Sequence, residues 1–230
     1  KLLAAAAAHI AIHLENAGLY DDMNTMFLGM LEAITASIDA KDQYTCGHSR
    51  RVALLTRQLA EGIGLDGATV KRMHIAGMVH DVGKIGVPEA VLCKAGRLTD
   101  AEYVQVQRHP EIGFGILKDI PSFDDILDGV RHHHERFDGG GYPAKLAGED
   151  IPLAARLIAL ADAFDAMCSS RTYRDAMDRD AVLAEIEAGS GTQFDPALVP
   201  CFLKLDFSEW EQLIASHGGM MPHARLEDAA

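Results

Sequence analysis

Seven residues stand out because their types bind metal and their spacing turns them inward: His48, His80, Asp81, His109, His133, His134 and Asp162. Histidine and aspartate supply the imidazole and carboxylate donors that divalent ions take. Any one inward histidine is most simply a hydrogen-bonded core residue. Seven such groups at positions where the apolar pattern predicts the interior are costly to bury separately, and convergence on metal removes that cost. The set exceeds what one tetrahedral ion takes, so it points to two ions. Adjacent His80 and Asp81 mark the place where one side chain binds an ion while its neighbour bridges both. Such a centre clamps a phosphodiester, lowers the pKa of a water and stabilises the charge that develops at phosphorus, without a side-chain nucleophile.

Helices must position these residues. Apolar residues recur at intervals of three and four, with little alternation, so the sequence reads as an all-α domain. His48 shares a stripe with Val52, Leu55, Leu59 and Ile63, and His80 and Asp81 continue one through Val70, Met73 and Gly77. Gly83 fits a helix stop. Thr99 to Glu102 is a capping box for a helix running toward His109, where Pro110 marks a boundary. His133 and His134 follow Ile126 and Val130 at helical spacing. After the glycine-rich loop 138–143, Pro152 opens a helix carrying Ile158, Asp162 and Asp165. Asp195 and Pro196 read as N-cap and first-turn proline of a late helix. In residues 1–40 an alanine run precedes Phe27, Leu31, Ile34 and Ile38, an apolar seam that packs on its own domain or pairs across a dimer.

The 230 residues suffice for one well-buried domain, and the formal charge of −13 repels long nucleic acid, so phosphate chemistry must be local. Cys46, Cys93, Cys168 and Cys201 form no C-x-x-C pair, which argues against a zinc knuckle or a disulfide framework. No apolar run reaches membrane-span length and no signal peptide opens the chain, so the expected location is cytoplasmic. The sequence opens at Lys1-Leu2-Leu3-Ala4 already in a helical pattern, as in a piece of a longer protein.

His80-Asp81 with Gly83-Lys84, and the run from His133-His134-Glu135 through Asp138-Gly139-Gly140-Gly141-Tyr142-Pro143, resemble the paired signature of the HD-GYP family of HD phosphohydrolases. His48-Ser49-Arg50-Arg51-Val52, His109-Pro110, Ala161 to Ala166 and Arg171-Thr172-Tyr173-Arg174 match its other blocks in order, from about residue 30 to 206. The resemblance implies an HD-domain-like helical bundle with a bimetallic iron or manganese site in its core. One ion would take His48, His80, Asp81 and Asp162, and the other Asp81, His109, His133 and His134. Family members with three metals place a glutamate where this chain has Tyr44, a poor ligand at neutral pH, so two ions are expected. Lys84 would reach a substrate phosphate, and Arg171 and Arg174 would contact substrate, although Thr172 replaces the usual proline and solvated ion pairs would also account for the arginines.

The implied activity is signal-transducing hydrolysis of cyclic di-GMP, or of mixed cyclic GMP-AMP, to linear dinucleotide or GMP. The alternative is a catalytically weak module that binds a cyclic dinucleotide or a diguanylate cyclase domain, against which the intact ligand set argues. Tyr142 would stack on a guanine, and the loop Gly139–Pro143 either approaches a ligand or cyclase partner or is a plain tight turn. His132 is assigned to the surface, and Asp165 to support of a ligand histidine or of its own helix face. Leu3 to Tyr20 is similar to the last helix of a GAF sensor domain. The expected organisation is therefore a sensor end and signalling helix at 1–35, the catalytic domain at 36–215 and a tail at 216–230, with a homodimer built on the first helix.

Overall fold

A computed structural model describes residues 2–41, 46–94, 96–169 and 177–217. Their regular structure is helical, and no β-strand forms among them. The chain divides into two compact units, Lys1–Ile34 and Thr35–Ala230.

The first unit is most of one 38-residue helix, α1 (Leu2–Asp39). The expected seam is split: Leu31 and Ile38 are buried and Phe27 half-buried, but Ile34 is 52% exposed. The reason is the helical repeat. Ile34 lies about 60° around the helix from Leu31, whereas Thr35 lies about 40° to the other side and is buried in its place.

The second unit continues with α2 (His48–Gly62), α3 (Gly67–Val79), α4 (Glu89–Leu92), α5 (Asp100–Val106), α6 (His109–Leu117), α7 (Leu127–His132), α8 (Leu153–Cys168), α9 (Arg179–Ala188), α10 (Val199–Phe202) and α11 (Ser208–His217). α2 packs on α3 and α8, and α7 on α6 and α8, so these helices surround one core. Val52, Leu55, Leu59, Leu157, Ile158 and Leu160 are wholly buried in it. Each such aliphatic side chain contributes about 1.5–3 kcal/mol over its exposed state.

Local chemistry sets the helix ends near the site. Gly47 precedes α2 at φ 71° and offers no side-chain cap. Asp39 supplies one, accepting from the Ser49 amide at 3.1 Å and its hydroxyl at 2.8 Å, which fixes the start of α2 at His48. The capping box of α5 forms between Thr99 and Glu102. His109 and Pro110 open α6, as the proline requires. Asp195 accepts from the Ala197 amide at 2.8 Å, yet the late helix α10 starts at Val199 and uses Pro200, not Pro196, in its first turn.

Gly83 is not the left-handed stop its position suggests; α3 ends at Val79 and the chain enters a 3-10 turn, Val82–Gly86. A Cβ at Gly83 would run into the His109 carbonyl and come within 2.5 Å of the Gly113 amide nitrogen. Its bare backbone lets the start of α6 cross beside His80 and Asp81. Phe164 of α8, Phe202 of α10, Phe207 just before α11 and Trp210 of α11 form an aromatic cluster. Among the described residues no helix is long and apolar enough to cross a membrane.

Candidate metal centre

Three histidines are oriented the same way by backbone three residues upstream. Nδ1 of His80 donates to the Gly77 carbonyl at 2.8 Å, that of His109 to Val106 at 2.7 Å and that of His133 to Val130 at 2.7 Å. A carbonyl only accepts, so each Nδ1 carries the proton and each Nε2 directs a lone pair inward. His48 is held by a carboxylate instead, its Nδ1 lying 2.8 Å from Asp165 Oδ2.

The inward atoms converge. Donor atoms of His109, His133 and His134 lie within 4.8 Å of one another, as do those of His48, His80 and Asp162, and those of His80, Asp81 and His133. Asp81 faces both groups: Oδ1 is 3.1 Å from His109 Nε2, while Oδ2 is 3.4 Å from His80 Nε2 and 3.7 Å from His48 Nε2. Asp162 Oδ1 is 3.2 Å from His48 Nε2. The donor set fits divalent ions on its own chemistry. His80 Nε2 is buried without a hydrogen-bond partner among the described residues, and the inward nitrogens of His109 and His133 face each other at 3.2 Å. Two lone pairs hold that position only with a shared cation or proton between them.

Electrostatics separates the rings. Burial works against charge on His48, but hydrogen bonds to Asp162 and Asp165 outweigh it and raise its pKa to about 10. Burial and the neighbouring imidazoles push His133 well below the usual range, and burial and His109 bring His134 down to about 3. Burial opposes ionisation of Asp81, yet Lys84, His80 and His109 hold it well below the usual carboxylate range. The metal-free site thus sets neutral His133 and His134 beside ionised Asp81 and a protonated His48.

A cavity of about 470 Å³ opens over these residues, bordered by Lys84, Tyr142, Glu185 and Gln193. Lys84 Nζ stands 2.6 Å from Asp81 Oδ2, which places the ammonium on the candidate bridging carboxylate at the cavity wall. Tyr142 stacks on His134, with ring centres 4.9 Å apart and planes 28° apart, so one of its faces is already covered. The loop is held there by Gly141, where a Cβ would stand 2.5 Å from Glu135 Cα and 2.6 Å from the His134 carbonyl. The close approach expected of the glycines is therefore to the chain's own backbone. Arg171, Arg174 and Tyr44 lie outside the described residues.

His132 is buried, not on the surface: only 9% is exposed and Nδ1 lies 3.5 Å from Glu135 Oε1. The tight turn that sends His133 and His134 inward also tucks their predecessor under Glu135. Glu135 itself was not singled out by the sequence; it is buried and accepts from the Ala144 amide at 2.6 Å, bracing the glycine loop. Arg51 was missed too, although its spacing of three from His48 puts both on one face of α2. It donates to Asp165 from Nε at 2.6 Å and Nη2 at 2.9 Å.

The profile of the HD domain family matches residues 32–198. A cyclic di-GMP phosphodiesterase response regulator of Xanthomonas campestris pv. campestris is 40% identical over 76% of this chain and 47% of its own length. A cyclic di-GMP phosphodiesterase of Thermotoga maritima is 37% identical over 77% of this chain and 49% of its own. A 3'3'-cGAMP-specific phosphodiesterase of Vibrio cholerae is 33% identical over 94% and 41% respectively. The chain thus spans about half or less of the curated relatives it matches. A solved cyclic GMP-AMP phosphodiesterase from V. cholerae shares the fold at a TM-score of 0.56 and 19% identity, over 84% of this chain and 50% of that one.

Proposed function

Because this chain belongs to the HD domain family, in its HD-GYP branch, we propose that it is a metal-dependent phosphodiesterase that opens cyclic di-GMP or the related cyclic GMP-AMP. The observation that carries the reading is the convergence of seven ligand side chains, of which Asp81, His109, His133, His134 and Asp162 line one cavity, with three of the histidines turned inward by their outer hydrogen bonds. Two ions, iron or manganese, would be held by His48, His80, Asp81 and Asp162 on one side and by Asp81, His109, His133 and His134 on the other. When bound, they supply Lewis acidity toward a phosphodiester and its attacking water.

The chain's own residues do the rest. Asp81 presents one oxygen to each side, where it would be shared by both ions. Lys84 stands at the cavity wall, where its ammonium meets a substrate phosphate and adds the positive field that the acidic surface lacks. Tyr142 covers His134 and shields it from water, leaving the other face of its ring to a base. A cavity of about 470 Å³ is in the range of small-ligand sites.

The loop Gly139–Pro143, with Gly140 exposed, is the proposed contact for a diguanylate cyclase domain, which the family resemblance implies. The exposed apolar face of α1 is the proposed seat of a homodimer. Four free thiols, two of them exposed, suit a cytoplasmic, reducing compartment.

The test is to load the protein with manganese or iron, incubate it with cyclic di-GMP and with cyclic GMP-AMP separately, and resolve the products. Conversion to linear dinucleotide or GMP is expected with at least one compound. A fully metal-loaded protein that opens neither removes the proposal.

A further inference from the structure

We propose that Trp210, on α11, is a positioning residue for the metal site of His48, acting through the carboxylate of Asp165; the proposal rests on the bimetallic reading above. Asp165 is fully buried and both of its oxygens are saturated. Oδ1 accepts from Arg51 Nε at 2.6 Å and from the Trp210 indole N–H at 2.7 Å. Oδ2 accepts from His48 Nδ1 at 2.8 Å and from Arg51 Nη2 at 2.9 Å. Arg51 grips both oxygens side-on, a bidentate pair that leaves each oxygen a further lone pair to be satisfied. The indole N–H pins Oδ1 from a second direction, and Oδ2 is thereby kept on His48. His48 in turn keeps its proton on Nδ1 and turns Nε2 toward Asp81 and Asp162.

Packing alone does not account for a tryptophan here. Its ring is 4% exposed and meets Phe164 edge-on at 4.9 Å, inside a cluster that Phe202 and Phe207 complete. Any large aromatic side chain fills that space, but only an indole brings a donor that cannot also accept, which suits an ionised carboxylate. The aromatic ring also keeps water from Asp165, so each of its hydrogen bonds acts in a low dielectric. Trp210 lies beyond the segment that the HD domain profile matches, so this support is contributed by the chain's last described helix.

Manganese titration of the metal-free protein by calorimetry tests the idea, with two binding steps expected for the two ligand sets. Trp210→Phe keeps an aromatic ring and drops the N–H. It is expected to weaken one binding step about tenfold while sparing the step that depends on His109, His133 and His134. Replacing Trp210 with benzothienylalanine, which keeps the bicyclic shape and exchanges N–H for sulfur, should give the same split and serves if the Phe variant does not fold. Asp165→Asn should weaken the same step. Phe207→Leu, which loosens the cluster without touching Asp165, should lower the melting temperature and leave both steps unchanged. Two wild-type steps that Trp210→Phe and the benzothienyl variant leave untouched, or weaken equally, overturn the inference alone. A wild-type protein that takes up no metal overturns the bimetallic reading and this inference with it.

Discussion

Asp81 has more partners in the centre than any other side chain, with three histidines and Lys84 within 3.7 Å of its oxygens. Asp81→Ala should therefore deplete both ions and lower turnover by about a hundredfold or more, beyond any other single ligand change. Metal analysis decides it: a full complement with near-normal turnover contradicts a bridging carboxylate. Lys84→Met should keep metal content, since the ammonium donates nothing to an ion, and reduce catalytic efficiency toward cyclic di-GMP about 10- to 100-fold. Unaltered efficiency would count against contact with phosphate. The histidines also predict how the metal-free protein responds to pH. His48 holds its proton up to about 10 when folded against 6.5 ordinarily, so its contribution is complete below about pH 6.5 and is lost as pH rises toward 10. His134 is lowered to about 3, so stability falls as pH drops from about 6.5 toward 3. The melting temperature of metal-free protein should peak near pH 6.5; a steady climb from pH 7 to 10 would refute this pair of assignments. Most of these residues were legible because histidine and aspartate on apolar stripes are conspicuous. Trp210 was not, because an indole in an apolar cluster gives no sign in sequence of where its N–H points.

At the scale of elements, what sequence reveals depends on whether a signal is local. The capping box at Thr99 and Glu102 and the boundary at Pro110 act within one turn of chain, and both are where the spacing puts them. Gly83 and Gly141 answer to segments that their own neighbourhood does not contain. Gly83 clears the backbone of α6, and Gly141 lies against the chain at residues 134–136. Gly141→Ala tests that difference. The added methyl would press on the Glu135 Cα and the His134 carbonyl, both backbone, so the loop must lift and take Tyr142 off His134. A destabilisation of about 1–3 kcal/mol is expected, together with lower turnover. At Gly140 the nearest atoms are side-chain atoms of Asp138 and Arg136, at 3.1 Å or more, and these can give way. Gly140→Ala should thus be the milder change. Thermal melts and turnover of the two variants side by side check it, and equal effects would mean that the loop does not depend on close approach at Gly141.

For the whole molecule, the helical repeat made the all-α class legible, but it did not say which face of α1 is left open. Leu31, Thr35 and Ile38 are buried, whereas Ile12, Leu19, Met23, Met26, Met30 and Ile34 are exposed. The exposed set has coiled-coil spacing: Ile12, Leu19, Met26 and Ala33 recur every seven residues, and Asn16, Met23, Met30 and Ser37 recur four residues after each. Asn16 in such a seam costs stability but fixes register, because its amide is satisfied only opposite another polar group. Charge selects the direction. Glu15 and Asp22 occupy one flank, where an antiparallel partner would set acid against acid; a parallel partner sets them against Tyr20 and Phe27. The expected assembly is therefore a parallel homodimer with about twice the 24.8 kDa chain mass. Replacing Met23, Met26 and Met30 together with Ser should give monomers that keep their melting temperature. Replacing the buried Leu31 and Ile38 should destabilise the fold instead. Light scattering across concentrations, paired with thermal melts, separates the two outcomes, and a wild-type chain that stays monomeric at every concentration rules out the α1 dimer.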